Sequence, residues 1–218
     1  MQLYAKITKD VERLVDVIAE GRIVAFPTGT SYGLAVDALQ GNALQRLRNA
    51  KGRDAQKSFT VFMREELWST HLDVTDAEKS FLHQHAGKPL TLLVRPQKNL
   101  EHLAVDGRIG LRMIDHPVMQ ELSEVVDVPL TATSANIAGE NACASVECIT
   151  RSFPGLLDPT DTRHGDIGRA GRTTYDLSLG AIFDAGTLPS QKPSSIVLLQ
   201  EDGSMKVIRQ GEFIAKKN

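Results

Sequence analysis

The chain has 218 residues, of which 41% are hydrophobic and 24% charged, and its formal net charge is −2. Such a composition belongs to a globular protein with enough chain to bury a core unaided, and it excludes a global basic field for nucleic acid. No apolar run approaches the roughly 20 residues of a membrane span, and Met1 to Asp10 has no basic-then-apolar signal pattern, so the cytoplasm is the expected compartment.

Asp10 to Glu20 carries Val11, Leu14, Val15 and Ile18 on one helical face and stops at Gly21. Ile23 to Phe26 is an apolar run ended by Pro27, which cannot donate to a ladder, and it reads as a buried strand. Thr28, Thr30, Ser31 and Tyr32 follow, with Gly29 and Gly33 among them. A hydroxyl-rich loop at a strand end is either an ordinary turn or the place where α/β proteins hold small polar ligands. Asn42 with Gln45 resembles a capping box for a helix carrying Ala43, Leu44 and Leu47. That helix runs into Arg46, Arg48, Lys51, Arg53 and Lys57, the most basic window of the chain. The window is either a solvated helix end or an anion site, in which Gly52 turns the chain so that Lys51 and Arg53 reach one phosphate.

Ser58 to Met63 suits a strand, and Thr75 with Glu78 is a capping box for a helix over 76–85. His83 and His85 point to different faces of that helix and read as surface or structural residues rather than metal ligands. Leu90 to Val94 and Ile109 to Met113 are further strands, the second with Arg112 inside it. An arginine in an apolar strand needs a carboxylate or an anionic ligand. His116-Pro117 opens a helix. Pro129 to Thr133 is a strand that runs into Ser134-Ala135-Asn136, a second hydroxyl and amide cluster. Ser145 caps a short helix. Cys143 and Cys148, with no second pair and no nearby His, read as idle thiols rather than as ligands or a redox pair. Residues 154–180, broken by glycines and prolines, form a long polar loop. Ala181 to Phe183, Ile196 to Leu199 and Met205 to Arg209 complete the strands, the last two joined by the Asp202-Gly203 turn. Strands alternating with helices make an α/β class with a mixed sheet.

Five segments, taken in order, resemble the YrdC/Sua5 family: Pro27-Thr28-x-Thr30-x-Tyr32-Gly33-Leu34; Lys51-x-Arg53; Ile109-x-Leu111-Arg112-Met113-x-x-His116-Pro117; Thr133-Ser134-Ala135-Asn136; and Pro193-Ser194-Ser195-Ile196-Val197 followed by Arg209-x-Gly211. The resemblance implies one YrdC-like domain over residues 1–218. Its fold would be a YrdC/RibB-like twisted mixed β-sheet of about seven strands, flanked by helices, with a large concave, positively charged cavity. It also implies a threonylcarbamoyl-AMP synthase of the short form, which joins L-threonine, bicarbonate and ATP and releases pyrophosphate. Mg²⁺ would accompany the ATP, and the product would feed threonylcarbamoylation of adenosine 37 in tRNA. Expected partners are tRNA or double-stranded RNA and further tRNA-modification proteins, with no membrane.

Carried over by position, Thr30 and Arg112 would hold the threonine, Arg112 pairing with its carboxylate, with Thr28, Tyr32 and Ser194 lining that end. Lys51, Arg53 and Lys57 would hold the ATP phosphates. Ser134 and Asn136 would bind nucleotide, phosphate or Mg²⁺, and Arg209 would lie at the nucleotide end. Lys51, Arg53, Ser134 and Asn136 are thus the expected catalytic set. Positioning and charge neutralisation suit this chemistry better than a strong base does, and no triad or carboxylate pair stands out. Residues 154–180 are the candidate lid.

The chain departs from the family pattern at Gly29, where an acidic residue is usual, and at Phe62, where many synthases have a histidine near the threonine. It departs again at Lys57-Ser58-Phe59 and at Lys192-Pro193-Ser194-Ser195. Phe59 and Lys192-Pro193 lean towards a YciO-like sibling with another substrate, in which Phe62 would make the pocket more apolar. A non-catalytic module that binds RNA through the basic cavity is the third reading.

Overall fold

The computed structural model of the chain describes residues 2–54, 57–153, 174–177 and 180–213. Helix α1 (Gln2–Ala19) buries Val11, Leu14 and Ile18, the stripe that the helical spacing predicts, and extends further towards the N-terminus than expected. It ends at Gly21, whose φ of 70° is the left-handed value that glycine adopts without strain. Strands β1 (Ile23–Pro27) and β2 (Tyr32–Ala35) form an antiparallel hairpin around the hydroxyl loop. Helix α2 (Gly41–Lys51) follows. The capping box expected at Asn42 is not formed: Leu44 N–H already bonds to Gln40 O, so the helix begins earlier, and Asn42 Oδ1 accepts from Ala43 N–H instead.

Next come β3 (Thr60–Phe62), α3 (Trp68–His71), β4 (Leu72–Asp73) and α4 (Asp76–Gln84). Helix α4 has the reciprocal Thr75–Glu78 capping box that the sequence predicts. Strands β5 (Leu90–Pro96) and β6 (Ile109–Arg112) lead to α5 (Pro117–Val125), capped by the His116 ring. The chain closes with β7 (Leu130–Ser134), α6 (Val146–Ser152), β8 (Thr174–Leu177), β9 (Gly180–Phe183), β10 (Ser195–Leu199) and β11 (Met205–Arg209).

The strands join one twisted mixed sheet in the order β11-β10-β5-β6-β3-β7-β2-β1-β9-β8, with β4 paired to β5 off this path. Three pairs are parallel (β1 with β9, β3 with β6, β5 with β10) and the others antiparallel, including the run β3-β7-β2-β1 at the centre. Eleven strands among the described residues replace the expected seven or so. The extra ones are short: β2 is the outgoing arm of the hydroxyl loop, β4 has two residues, and β8 lies in the glycine-broken stretch. The rest of the expected loop at 154–180, residues 154–173 and 178–179, lies outside the described residues, and with it the candidate lid.

One apolar cluster, around Leu34, Val61, Leu92 and Leu111, covers one face of the sheet. A second, around Phe26, Phe62, Val118 and Leu122, packs α1 and α5 against part of the other face. Among the described residues neither cluster covers the remainder of that face, and there the cavity lies.

Candidate active site

Strand alternation builds the cavity floor. Ile109 and Leu111 of β6 point into the core, so Arg108, Gly110 and Arg112 share the opposite face. Leu93 of β5, Ile196 and Leu198 of β10 and Ile208 of β11 extend that face as an apolar wall. Gly110 is required there: a Cβ would stand 2.6 Å from Thr60 Cγ2 and 2.9 Å from Thr91 Cγ2. The whole cavity measures about 1130 Å³. Arg53, Arg108, Arg112 and Arg209 line it, against the carboxylates of Asp106 and Glu140.

The hydroxyl loop forms one end. Thr28 Oγ1 donates to Ser31 O at 2.8 Å and lies 3.3 Å from Thr30 Oγ1, so Thr28 itself holds the turn. The loop is thus a turn held by its own hydroxyls, and Thr28, Thr30 and Ser31 also line the cavity. Tyr32 is fully buried, and its hydroxyl donates to Gly186 O at 2.9 Å and accepts from Ala185 N–H at 2.8 Å. The second hydroxyl cluster adjoins the first: Ala135 N–H bonds to Tyr32 O at 2.8 Å. Beyond it, Ser134 Oγ donates to Asn136 Oδ1 at 2.5 Å, and Asn136 Nδ2 donates to Glu140 O at 2.7 Å.

The basic window divides at Gly52. This residue ends α2 with φ 58° and ψ 34°. Lys51, on its near side, is 1% exposed and absent from the cavity wall. Its Nζ donates to Ser134 O, to Asn136 O at 2.8 Å and to Asn136 Oδ1 at 3.2 Å. Burial first, and the neighbouring Arg53 charge second, lower its pKa from 10.5 to about 7. Arg53, on the far side, lines the cavity. Its guanidinium lies 5.0 Å from the Phe59 ring centroid, with Arg48 at 4.8 Å from the same centroid. Its Nε is buried without a hydrogen-bond partner among the described residues, while its Nη2 donates to Ser58 O at 2.5 Å. Lys57 is exposed and does not line the cavity.

At the other end of the strands, Arg209 Nε and Nη2 donate to Ser194 O at 3.1 and 2.8 Å. Ser194 Oγ lies 3.2 Å from Thr91 Oγ1. Arg112 sits close enough to Arg209 for its pKa to be lowered by that charge as well as by burial, the larger cause. Asp115 opposes this: Arg112 Nη2 donates to Asp115 Oδ2 at 2.5 Å.

Of the residues singled out from the sequence, Thr28, Thr30, Tyr32, Arg53 and Arg112 are brought to one cavity, together with Ser134, Asn136, Ser194 and Arg209. Lys51 and Lys57 are not. Phe62, expected to alter the pocket, is instead buried against Phe26, with centroids 5.5 Å apart, and does not line it. Arg108 and Asp115 were missed. Arg108 was legible as the same-face neighbour of Arg112 four residues earlier, whereas Asp115 carries no periodic signal. The idle-thiol reading is also corrected: Cys143 and Cys148 are joined by a disulfide. Cys143 N–H bonds to Ala135 O and Cys143 O accepts from Tyr32 N–H, both at 2.9 Å, which ties α6 to the two hydroxyl clusters. His83 pairs with Glu65 at 2.8 Å, and among the described residues no cluster of three His, Cys, Asp or Glu could hold a metal. No helix among them is long and apolar enough to cross a membrane.

The family model described as "Telomere recombination", which covers Sua5, YciO and YrdC, matches residues 16–211. A threonylcarbamoyl-AMP synthase of Pyrococcus abyssi is 31% identical over 156 residues, covering 68% of this chain and 46% of the relative. One from Haemophilus influenzae is 25% identical over 181 residues, covering 80% of this chain and 98% of the relative. Among solved structures, P. abyssi Sua5 complexed with L-threonine superposes with a TM-score of 0.75 at 24% identity, over 94% of this chain and 54% of that one. E. coli YciO gives 0.72 at 20% identity, over 94% and 90%. These two structures share the fold, and this chain spans about half the length of the P. abyssi proteins.

Proposed function

The chain belongs to the Sua5/YciO/YrdC family, and from that premise we propose that it is an L-threonylcarbamoyl-AMP synthase, a nucleotidyltransferase that makes the activated intermediate for tRNA threonylcarbamoylation in the cytoplasm. The observation that carries the reading is the single cavity in which Arg53, Arg112 and Arg209 share a wall with two hydroxyl clusters. Guanidinium groups held in a concave, partly desolvated site are suited to a carboxylate and a triphosphate together.

Arg112 takes the threonine carboxylate beside Thr30. The threonine amine combines with bicarbonate to give a carbamate and water. A carbamate oxygen then attacks the α-phosphorus of ATP, and pyrophosphate leaves with the broken P–O bond. Arg53 and Arg209 align the phosphates and offset their charge, which is the main demand of phosphoryl chemistry. Ser134 and Asn136 offer neutral oxygens, and among the described residues no cluster of three His, Cys, Asp or Glu competes for a metal. That donor set fits Mg²⁺ carried in on the triphosphate, where it would supply further charge neutralisation. Lys51 serves this site from beneath by shaping the Ser134–Asn136 turn.

The test is pyrophosphate release from ATP with Mg²⁺ and bicarbonate, with and without L-threonine. Release that requires both threonine and bicarbonate is the expected result. ATP binding with no threonine response would instead mark a sibling enzyme with another substrate. RNA binding without ATP binding would mark a non-catalytic module.

A further inference from the structure

The amino-acid end of the cavity has two walls that come from distant parts of the chain, the 28–32 loop and the end of β6. One side chain joins them. Asp115 Oδ1 accepts from Gly29 N–H at 3.1 Å, and Asp115 Oδ2 accepts from Arg112 Nη2 at 2.5 Å. The Asp115 side chain is 1% exposed and the Arg112 side chain 6%. The fit is close: a Cβ on residue 29 would stand 2.6 Å from Asp115 Oδ2 and 2.7 Å from Asp115 Cγ. Glycine at 29 therefore makes room for this carboxylate.

We propose that Asp115 is a positioning residue for the amino-acid substrate, setting the Arg112 guanidinium against the hydroxyl loop so that an α-carboxylate and a β-hydroxyl are held at once. Asp115 does not line the cavity itself, so it acts through Arg112 and Gly29. By engaging one edge of the guanidinium, it leaves the other N–H donors directed at the ligand. The proposal rests on the threonine-dependent reading above and concerns the same site.

The experiment compares wild type, Asp115→Asn and Gly29→Ala for L-threonine and ATP binding by titration calorimetry, and for KM and kcat by pyrophosphate release. Asn keeps an acceptor for Gly29 N–H but turns a donor or a neutral oxygen towards Arg112. Ala at 29 keeps the carboxylate's charge but pushes it off its position beside Arg112. Both variants are expected to weaken threonine binding about tenfold or more, the scale of a charge-assisted hydrogen bond. ATP binding should change less than about twofold. Wild-type threonine affinity in both variants would overturn the proposal. Equal loss of threonine and ATP binding would also overturn it, because Asp115 would then hold the fold rather than the substrate. If wild type itself ignores threonine while binding ATP, the functional reading fails first and the proposal falls with it, an outcome distinct from the other two.

Discussion

Lys51 Nζ lies 2.8 Å from Asn136 O and 3.2 Å from Asn136 Oδ1, on the far side of the turn from the cavity. The lysine is a strut for the Ser134–Asn136 turn, its Nζ held by main-chain and amide oxygens. Lys51→Met keeps the apolar stem and leaves those oxygens without their donor. Above about pH 8, where the buried amine is neutral and its charge carries no burial penalty, it is expected to lower the unfolding free energy by about 1–3 kcal/mol, and to weaken ATP binding while leaving threonine binding nearly unchanged. Urea unfolding and paired titrations check this. Wild-type stability in the variant would refute the strut.

The same lysine gives stability a pH dependence of known sign. Its folded pKa is about 7 and its ordinary value 10.5. From about pH 7 upwards the folded chain has released a proton that the unfolded chain still holds, so stability rises with pH across that window. Below the folded pKa both states are charged and the whole burial penalty is present. Denaturation curves between about pH 6 and pH 9 should show this upward contribution in wild type and lack it in Lys51→Met.

Gly110→Ala tests the cavity floor. The added methyl meets Thr60 and Thr91 well inside contact distance, and overpacking of this kind costs about 1–3 kcal/mol. Adding Thr60→Ser removes the nearer methyl and keeps the hydroxyl that donates to Ala132 O. The double variant should recover part of the loss, as read by thermal unfolding.

Arg53 and Lys57 give a paired test of the proposed phosphate site, the first on the cavity wall and the second off it. Arg53→Ala removes a guanidinium from the cavity wall and should raise the ATP KM by roughly 10- to 100-fold. Lys57→Ala alters an exposed side chain off that wall and should change it by less than about twofold. The reverse order in steady-state kinetics would relocate the phosphates.

Much of this was legible in the sequence for identifiable reasons. Apolar runs such as Leu90 to Val94 announce buried strands because nothing else accommodates them. Arg112 stood out because a charge in such a run needs a partner, and the structure supplies Asp115. What stayed hidden depends on direction and on distant contacts. Lys51 and Arg53 look alike in sequence, yet the backbone at Gly52 sends one beneath the turn and the other into the cavity. Phe62 looked like a pocket residue because of its place in a motif, but strand alternation turns it towards Phe26. Asn42 looked like a cap, but Gln40, two residues earlier, supplies the first helical carbonyl. The disulfide was unread because five residues of spacing fix neither geometry nor oxidation state.

The left-handed residue at the end of α2 also bears on how the basic motif can change over evolutionary time. Gly52 has open space where a Cβ would go, so only its backbone angles resist substitution. A mutation there would leave both cations in the sequence while misdirecting them. Drift at an uncharged position could thus silence the motif without altering the letters by which it is recognised. Grafting Lys51-x-Arg53 onto another helix end would likewise reproduce the divergence of the two side chains only if the glycine travelled with it.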